Sequence, residues 1–145
     1  MSDIDTAART IFGEARGEGR IGMQAVMNVI KNRATFAEGY KEAHGKNHPL
    51  YGDGQIETAC LMPWQFSCWN HNDPNRDIII KVDEHSPVFA DALKIATDVI
   101  SGELDDITHN ATHYYDSRLP DPPEWAEGHL PCAAIKHHFF YNDID

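Results

Sequence analysis

Cysteine is scarce in this sequence. Cys60, Cys68 and Cys132 are an odd number with no close pair, so the spacing predicts reduced thiols in a reducing compartment; one disulfide is possible, but nothing in the spacing asks for it. Long apolar runs are missing too. The opening MSDIDTAART has neither a positively charged start nor an apolar core, so no secretory signal or membrane anchor is expected, and the protein is expected to stay cytoplasmic unless something else lets it out. Basic residues are few: 12 Lys and Arg stand against 23 Asp and Glu, a formal net charge of −11, and no basic stripe interleaves with aromatics. Phosphate backbones and anionic lipid surfaces would both be repelled, which argues against nucleic-acid and membrane partners and leaves an uncharged ligand compatible. No internal repeat or linker is visible, so 145 residues are expected to form a single domain, 1–145, that buries roughly two thirds of its unfolded surface.

What is present is organised around one carboxylate. From Ile4 to Arg16 the apolar residues Ile4, Ala7, Ala8, Ile11, Phe12 and Ala15 recur at helical spacing, and Glu14 falls in the last turn. Gly17 is the expected left-handed stop. The helix C-terminus disfavours a second negative charge, and exclusion of water by Phe12, Met23 or a tryptophan would add to that, so Glu14 is positioned to hold its proton as a general acid must. The competing reading is an ordinary surface charge, with Arg16 and Arg20 neutralising Glu14 and Glu18. A second helix is predicted from Ile21 to Ala34, with Ile21, Ala25, Val26, Val29, Ile30 and Arg33 on one side.

Phe36 to Gly54 reads as a polar, glycine-bearing loop, followed by a helical turn at Ile56 to Leu61. Met62 to Asn70 (MPWQFSCWN) is expected to be an extended or bulged strand with Phe66 in the core and Trp64 or Trp69 facing a cleft, because sugars stack their C–H faces on such rings. IIIKV, Ile78 to Val82, favours a strand by β-branching. A helix from Pro87 to Ile100, capped by Ser86 or Asp83 and ended at Gly102, reads as scaffold. Ala111 to Tyr115 alternates as a half-buried strand, a proline-rich loop carries Trp125, and Ala134 to Tyr141 makes a closing strand with Ile135, His137, Phe139 and Tyr141 on one face and Lys136, His138 and Phe140 on the other. His109 and His113 have the i, i+4 interval, but an extended Asn110 to Tyr115 would separate them. With no compact ligand pair elsewhere, neither a metal nor a cofactor is expected.

In order, EARGE, Gly22 with AVMNVIKNR, QFSCW (Gln65 to Trp69), ATHYY (Ala111 to Tyr115), PPEW (Pro122 to Trp125) and AIKHHFFY (Ala134 to Tyr141) resemble the SleB-like cell wall hydrolase family, which includes spore-cortex-lytic enzymes and phage endolysins. The resemblance implies an α+β, mainly helical lysozyme-like domain with a small antiparallel sheet; with no repeat or linker visible, no separate wall-binding domain is expected. It implies a lytic transglycosylase that cuts peptidoglycan glycan strands between N-acetylmuramic acid and N-acetylglucosamine, with Glu14 as the acid. Glu18, Gln65, Phe66, Ser67, Trp69, Thr112, His113, Tyr114, Trp125, His138 and Tyr141 are then expected to bind substrate. A monomeric endolysin released through holes made by a separate holin-like protein is the expected setting. Lysozyme-type hydrolysis stays open, because Asp53, Asp73, Asp77, Asp116 or Asp121 could serve as a second carboxylate. A non-catalytic binding protein and a zinc amidase are the rival classes. One departure is Lys136, where family members often carry glycine before the closing H-x-F-Y.

Overall fold

The computed structural model describes residues 2–145. Five helices, α1 (Asp3–Ala15), α2 (Gly19–His44), α3 (Ile56–Leu61), α4 (Pro74–Lys81) and α5 (Pro87–Ser101), precede a small sheet of β1 (His113–Asp116), β2 (Ala133–Ile135) and β3 (His138–Tyr141). The architecture is α+β and mainly helical, as the sequence predicts. The Ser2 hydroxyl accepts from the Asp5 N–H at 3.1 Å and caps α1. The predicted stripe of Ala7, Ala8, Ile11, Phe12 and Ala15 is buried against α2 and α5, in one core with Met23, Val26, Met27, Ile30, Phe89, Ala92, Ile95 and Val99.

The boundaries differ from the sequence reading in several places. Gly17 is not the left-handed stop: Arg16–Glu18 form a 3-10 turn, and the chain reverses at Gly19, with φ 74°. α2 runs ten residues past Ala34, through half of the expected loop, and ends at His44 against the left-handed Gly45. Gly39 and a thinning apolar pattern hid this extension. It is held by buried Ala37, by the Tyr40 and His44 rings one turn apart at 4.2 Å, and by the basic Lys41 and His44 in the last turn.

Residues 62–70 do not make a strand; Ser67–Trp69 form a 3-10 turn instead. Ile78 to Lys81 lie in helix α4, not in a strand. Asp73 caps α4 by accepting from the Asn75 N–H at 2.8 Å, Pro74 opens it, and the Arg9 guanidinium donates to the carbonyls of Ile79 at 2.6 Å and Val82 at 2.9 Å at its end. Capping at both ends outweighs the β propensity of three isoleucines, of which only Ile79 is buried.

The sheet order is β1-β3-β2, all antiparallel. His113 pairs with Tyr141, Tyr114 with Phe140, Tyr115 with Phe139 and Asp116 with His138. Paired residues share a face, so Tyr114, Asp116, His138 and Phe140 lie on one side and His113, Tyr115, Phe139 and Tyr141 on the other. The expected single closing strand is a hairpin, with Ile135 opposite His138 across Lys136 and His137. Ile135 therefore joins the His138 face, against Phe140, rather than the Tyr141 face. Asn110, expected to be extended, is left-handed at φ 65°, as is His109 at φ 58°, and β1 starts only at His113.

Lys136 has φ 53° and His137 has no positive φ, the pattern of a type II′ turn whose first position prefers glycine. Lys136→Gly should raise stability by about 1 kcal/mol, because a side chain in the left-handed region is penalised by about that amount. At Gly13 an added Cβ would lie 2.8 Å from Cys68 Cβ and 2.9 Å from Ile79 Cγ2. Gly13→Ala is therefore expected to cost about 1–3 kcal/mol in urea unfolding. Gly39→Ala, which meets nothing within 4 Å, should gain about 0.5–1 kcal/mol. Equal effects at the two glycines would contradict the packing described.

Candidate active site

Glu14 sits in the last turn of α1, whose final carbonyls, Phe12 and Gly13, accept from the Arg16 guanidinium at 3.1 and 3.3 Å. It is half-buried, and the Tyr114 hydroxyl from β1 donates to its Oε1 at 2.9 Å. Cys68 approaches from the 67–69 turn with its thiol and backbone N–H. That approach depends on Gly13, which has no side chain to interpose. Burial pushes the Glu14 carboxyl above its ordinary range; the Tyr114 and Cys68 donors pull the other way without overcoming it, and the charge of Asp73 adds to the rise. The arginines that the competing reading set against Glu14 do not pair with it. Arg16 donates to the Asn75 side chain at 2.7 Å and to the Phe12 carbonyl at 3.1 Å, while Arg20 pairs with Asp91 at 2.9 Å.

Tyr114 is held beside Glu14 from its own face of the sheet. Its ring meets His138 edge-on with centroids 5.0 Å apart and tilts against Phe140 at 5.7 Å. Burial and the neighbouring Glu14 charge push the phenol well above its ordinary value, so it keeps its proton and remains a donor.

Arg33 organises the opposite side, and sequence reading placed it only on a core stripe. It is 5% exposed, lies between the rings of Tyr51 and Phe66 at 5.1 and 5.0 Å, donates from Nε to the Thr112 carbonyl at 2.7 Å, and reaches Gln65 Oε1 at 3.4 Å. Burial pulls this guanidinium below its ordinary value, and the surrounding acidic groups, Asp145 among them, act against that. One cation thus joins the QFSCW and ATHYY segments. An arginine spaced like an apolar core residue was the available signal.

The remaining expected site residues fall into two groups around this centre. Phe66 is buried, as expected, and Trp69 is half-buried with its indole N–H donating to Thr10 Oγ1 at 2.9 Å, one turn before Glu14. Ser67 is exposed, and so is Trp64, at 82%, on a left-handed backbone with φ 67°. Phe66, Trp64 and Trp69 line a cavity of about 420 Å³ together with Leu61, Met62 and Pro63.

On the other face of the sheet, Trp125 packs edge-on against His113 at 4.9 Å and Tyr141 at 5.3 Å. Thr112 Oγ1 lies 3.1 Å from His113 Nδ1, and both approach the Asp145 carboxylate, which also accepts from the Tyr51 hydroxyl at 2.6 Å. Tyr141, 3% exposed, borders a second cavity of about 420 Å³. Glu18 is buried under the start of α2, where His137 donates to it at 3.0 Å. Among the possible second carboxylates, Asp73 is the one whose charge acts on Glu14, and it also caps α4.

The raised folded-state affinity of Glu14 for its proton has a linked effect on stability. That contribution is fully present below the unfolded carboxyl pKa and is lost as pH rises through the folded one. Glu14→Gln should therefore melt no lower than wild type at neutral pH, with any gain vanishing in acid. A Tm lower at pH 7 than at pH 4, relative to wild type, would contradict a shielded carboxyl.

The chain matches the family described as Cell Wall Hydrolase over residues 17–141, a segment that begins just after Glu14. No curated protein matches. The fold is similar to the catalytic domain of the germination-specific lytic transglycosylase SleB from Bacillus anthracis, with 25% identity over 97% of this chain and 93% of that one and a TM-score of 0.67. It is equally similar to the catalytic domain of the Bacillus cereus SleB protein, with 25% identity, 97% and 89% coverage and a TM-score of 0.67. With most of its length matched, the chain belongs to the cell wall hydrolase family, of the SleB-like kind.

Proposed function

We propose that this protein is a lytic transglycosylase that cleaves the bond between N-acetylmuramic acid and N-acetylglucosamine in peptidoglycan. The observation that carries the reading is the half-buried Glu14 carboxyl, made to hold its proton by burial and held by the Tyr114 hydroxyl at 2.9 Å. The SleB relatives, one of them a germination-specific lytic transglycosylase, support the same reaction class.

In this mechanism Glu14 donates its proton to the bridging oxygen as the C1–O bond breaks. The resulting carboxylate is stabilised by the donors from Tyr114 and Cys68, whose hydrogen bonds favour the charged form. It then takes the proton of the muramic acid C6 hydroxyl while that oxygen bonds to C1. The product is a 1,6-anhydro end, no water is consumed, and Glu14 is reprotonated. The cavity bordered by Trp64 and Trp69 and the surface near Trp125 and Thr112 supply stacking and hydrogen bonds to the flanking sugars.

A second reading has one observation in its favour: Asp73 is electrostatically coupled to Glu14, and a second carboxylate is what hydrolysis would use. Asp73 already caps a helix, which favours the transglycosylase. Within the leading reading the protein acts as a single-domain monomeric endolysin of phage type, made in the cytoplasm and reaching the wall once a holin-like protein opens the membrane. Lysis of producing cells only on co-expression of a holin is the expected behaviour.

Mass spectrometry of digested peptidoglycan tests the reaction. Anhydro-ended muropeptides are expected, and reducing ends would instead assign hydrolysis. Glu14→Gln should lower the rate about 10²–10⁴-fold with the fold intact, the usual contribution of a general acid. Activity should fall as pH rises through the elevated Glu14 pKa. Tyr114→Phe removes a donor that favours the carboxylate, so this alkaline limb should move to higher pH; a shift to lower pH would refute the role given to Tyr114.

A further inference from the structure

Outside the Glu14 centre, three ligand-type side chains from separate stretches of chain converge: Glu18 on the turn before α2, Asp116 at the end of β1 and His138 at the start of β3. One donor atom from each lies within 4.8 Å of the others. The register makes this convergence a property of the fold, since Asp116 and His138 are direct partners across the sheet. Glu18 and His138 are 8% and 5% exposed, and Asp116 is half-buried. The His138 Nδ1 is buried without a hydrogen-bond partner, an arrangement a folded protein rarely leaves uncompensated.

We propose that Glu18, Asp116 and His138 bind a divalent cation, Zn²⁺ or Mn²⁺, which displaces Arg118 as it enters. The set offers two carboxylates and one imidazole nitrogen. A mixed oxygen and nitrogen set suits these ions better than Mg²⁺ or Ca²⁺, which favour all-oxygen shells. Three protein ligands leave positions for water. A tetrahedral ion needs donors about 3.3–3.5 Å apart, so closure by roughly an ångström is enough.

Two groups now face the carboxylates. Arg118 forks onto Asp116 at 2.9 and 2.7 Å and lies 3.8 Å from Glu18, while His137 donates to Glu18 at 3.0 Å. Arg118 is 63% exposed and stands as a removable lid, a monovalent cation where a divalent one fits. The His138 ring packs on Tyr114, whose hydroxyl donates to Glu14. A bound ion would therefore fix the wall that holds Tyr114, as a positioning element with no part in bond breaking.

The test is isothermal titration of the full chain, stripped with a chelator and dialysed, with ZnCl₂ and MnCl₂ and with MgCl₂ and CaCl₂ as comparators. One ion per chain is expected, with Mg²⁺ and Ca²⁺ at least tenfold weaker. Asp116→Asn should weaken uptake at least tenfold, and Arg118→Ala should tighten it several-fold, each with an unchanged circular dichroism spectrum. If Asp116→Asn unfolds, the Arg118→Ala result alone decides. Absence of uptake at millimolar Zn²⁺ and Mn²⁺, or affinity unchanged in Arg118→Ala, overturns the proposal. No glycan enters the titration, so its outcome is independent of the peptidoglycan reading.

Discussion

The hydrogen bond from the Tyr114 hydroxyl to Glu14 spans a hundred residues of sequence and joins the end of the first helix to the first strand of the sheet. Most of what lies around it can be understood as a means of holding those two groups together out of bulk water. α1 is buried between α2 and α5 along its alanine-rich stripe, which fixes the height of Glu14. Phe140 and His138 pin the Tyr114 ring from the same face of the sheet. Gly13 lets the 67–69 turn close over the carboxyl. The electrostatic result is a balance in which desolvation outweighs two donors, so the acid form is favoured while the anion, once formed, still has partners.

Arg33 supplies the complementary constraint. A guanidinium this buried must be fully partnered, and its partners are the Thr112 carbonyl, the Gln65 amide oxygen and two aromatic faces. The same side chain that satisfies itself in this way sets the distance between the QFSCW turn and the ATHYY strand. Truncating it would leave those partners facing an apolar gap, which explains why a charged residue occupies a position that helical periodicity marks as core.

Much of this was legible in the sequence, for identifiable reasons. α5 is strongly periodic and bounded by Ser86 and Gly102, so pattern and punctuation agreed there, while α1 was legible from its apolar stripe but not from its expected stop at Gly17. Glu14 was readable through the company it keeps: by spacing alone an ordinary surface charge explained it, and the ordered set from EARGE to AIKHHFFY singled it out. α4 was not, because propensity favours strands for Ile78 to Ile80 while the tertiary contact from Arg9 and the Asp73 cap decide otherwise. The hairpin at Lys136 was hidden by a lysine in a position that prefers glycine. Arg33 showed only as an arginine at a core spacing, while Cys68 and the pairing of Asp116 with His138 depend on contacts between distant segments, of which local periodicity carries no trace.

The claim on which the account rests is that Glu14 keeps its proton above the pH at which a solvated glutamate loses it. A ¹³C NMR titration of the glutamate side-chain carboxyls, with the Glu14 resonance assigned by its absence in Glu14→Gln, measures this directly. The account predicts a Glu14 midpoint clearly above about 4.3, the value of an unperturbed glutamate. A midpoint at or below that value would contradict it.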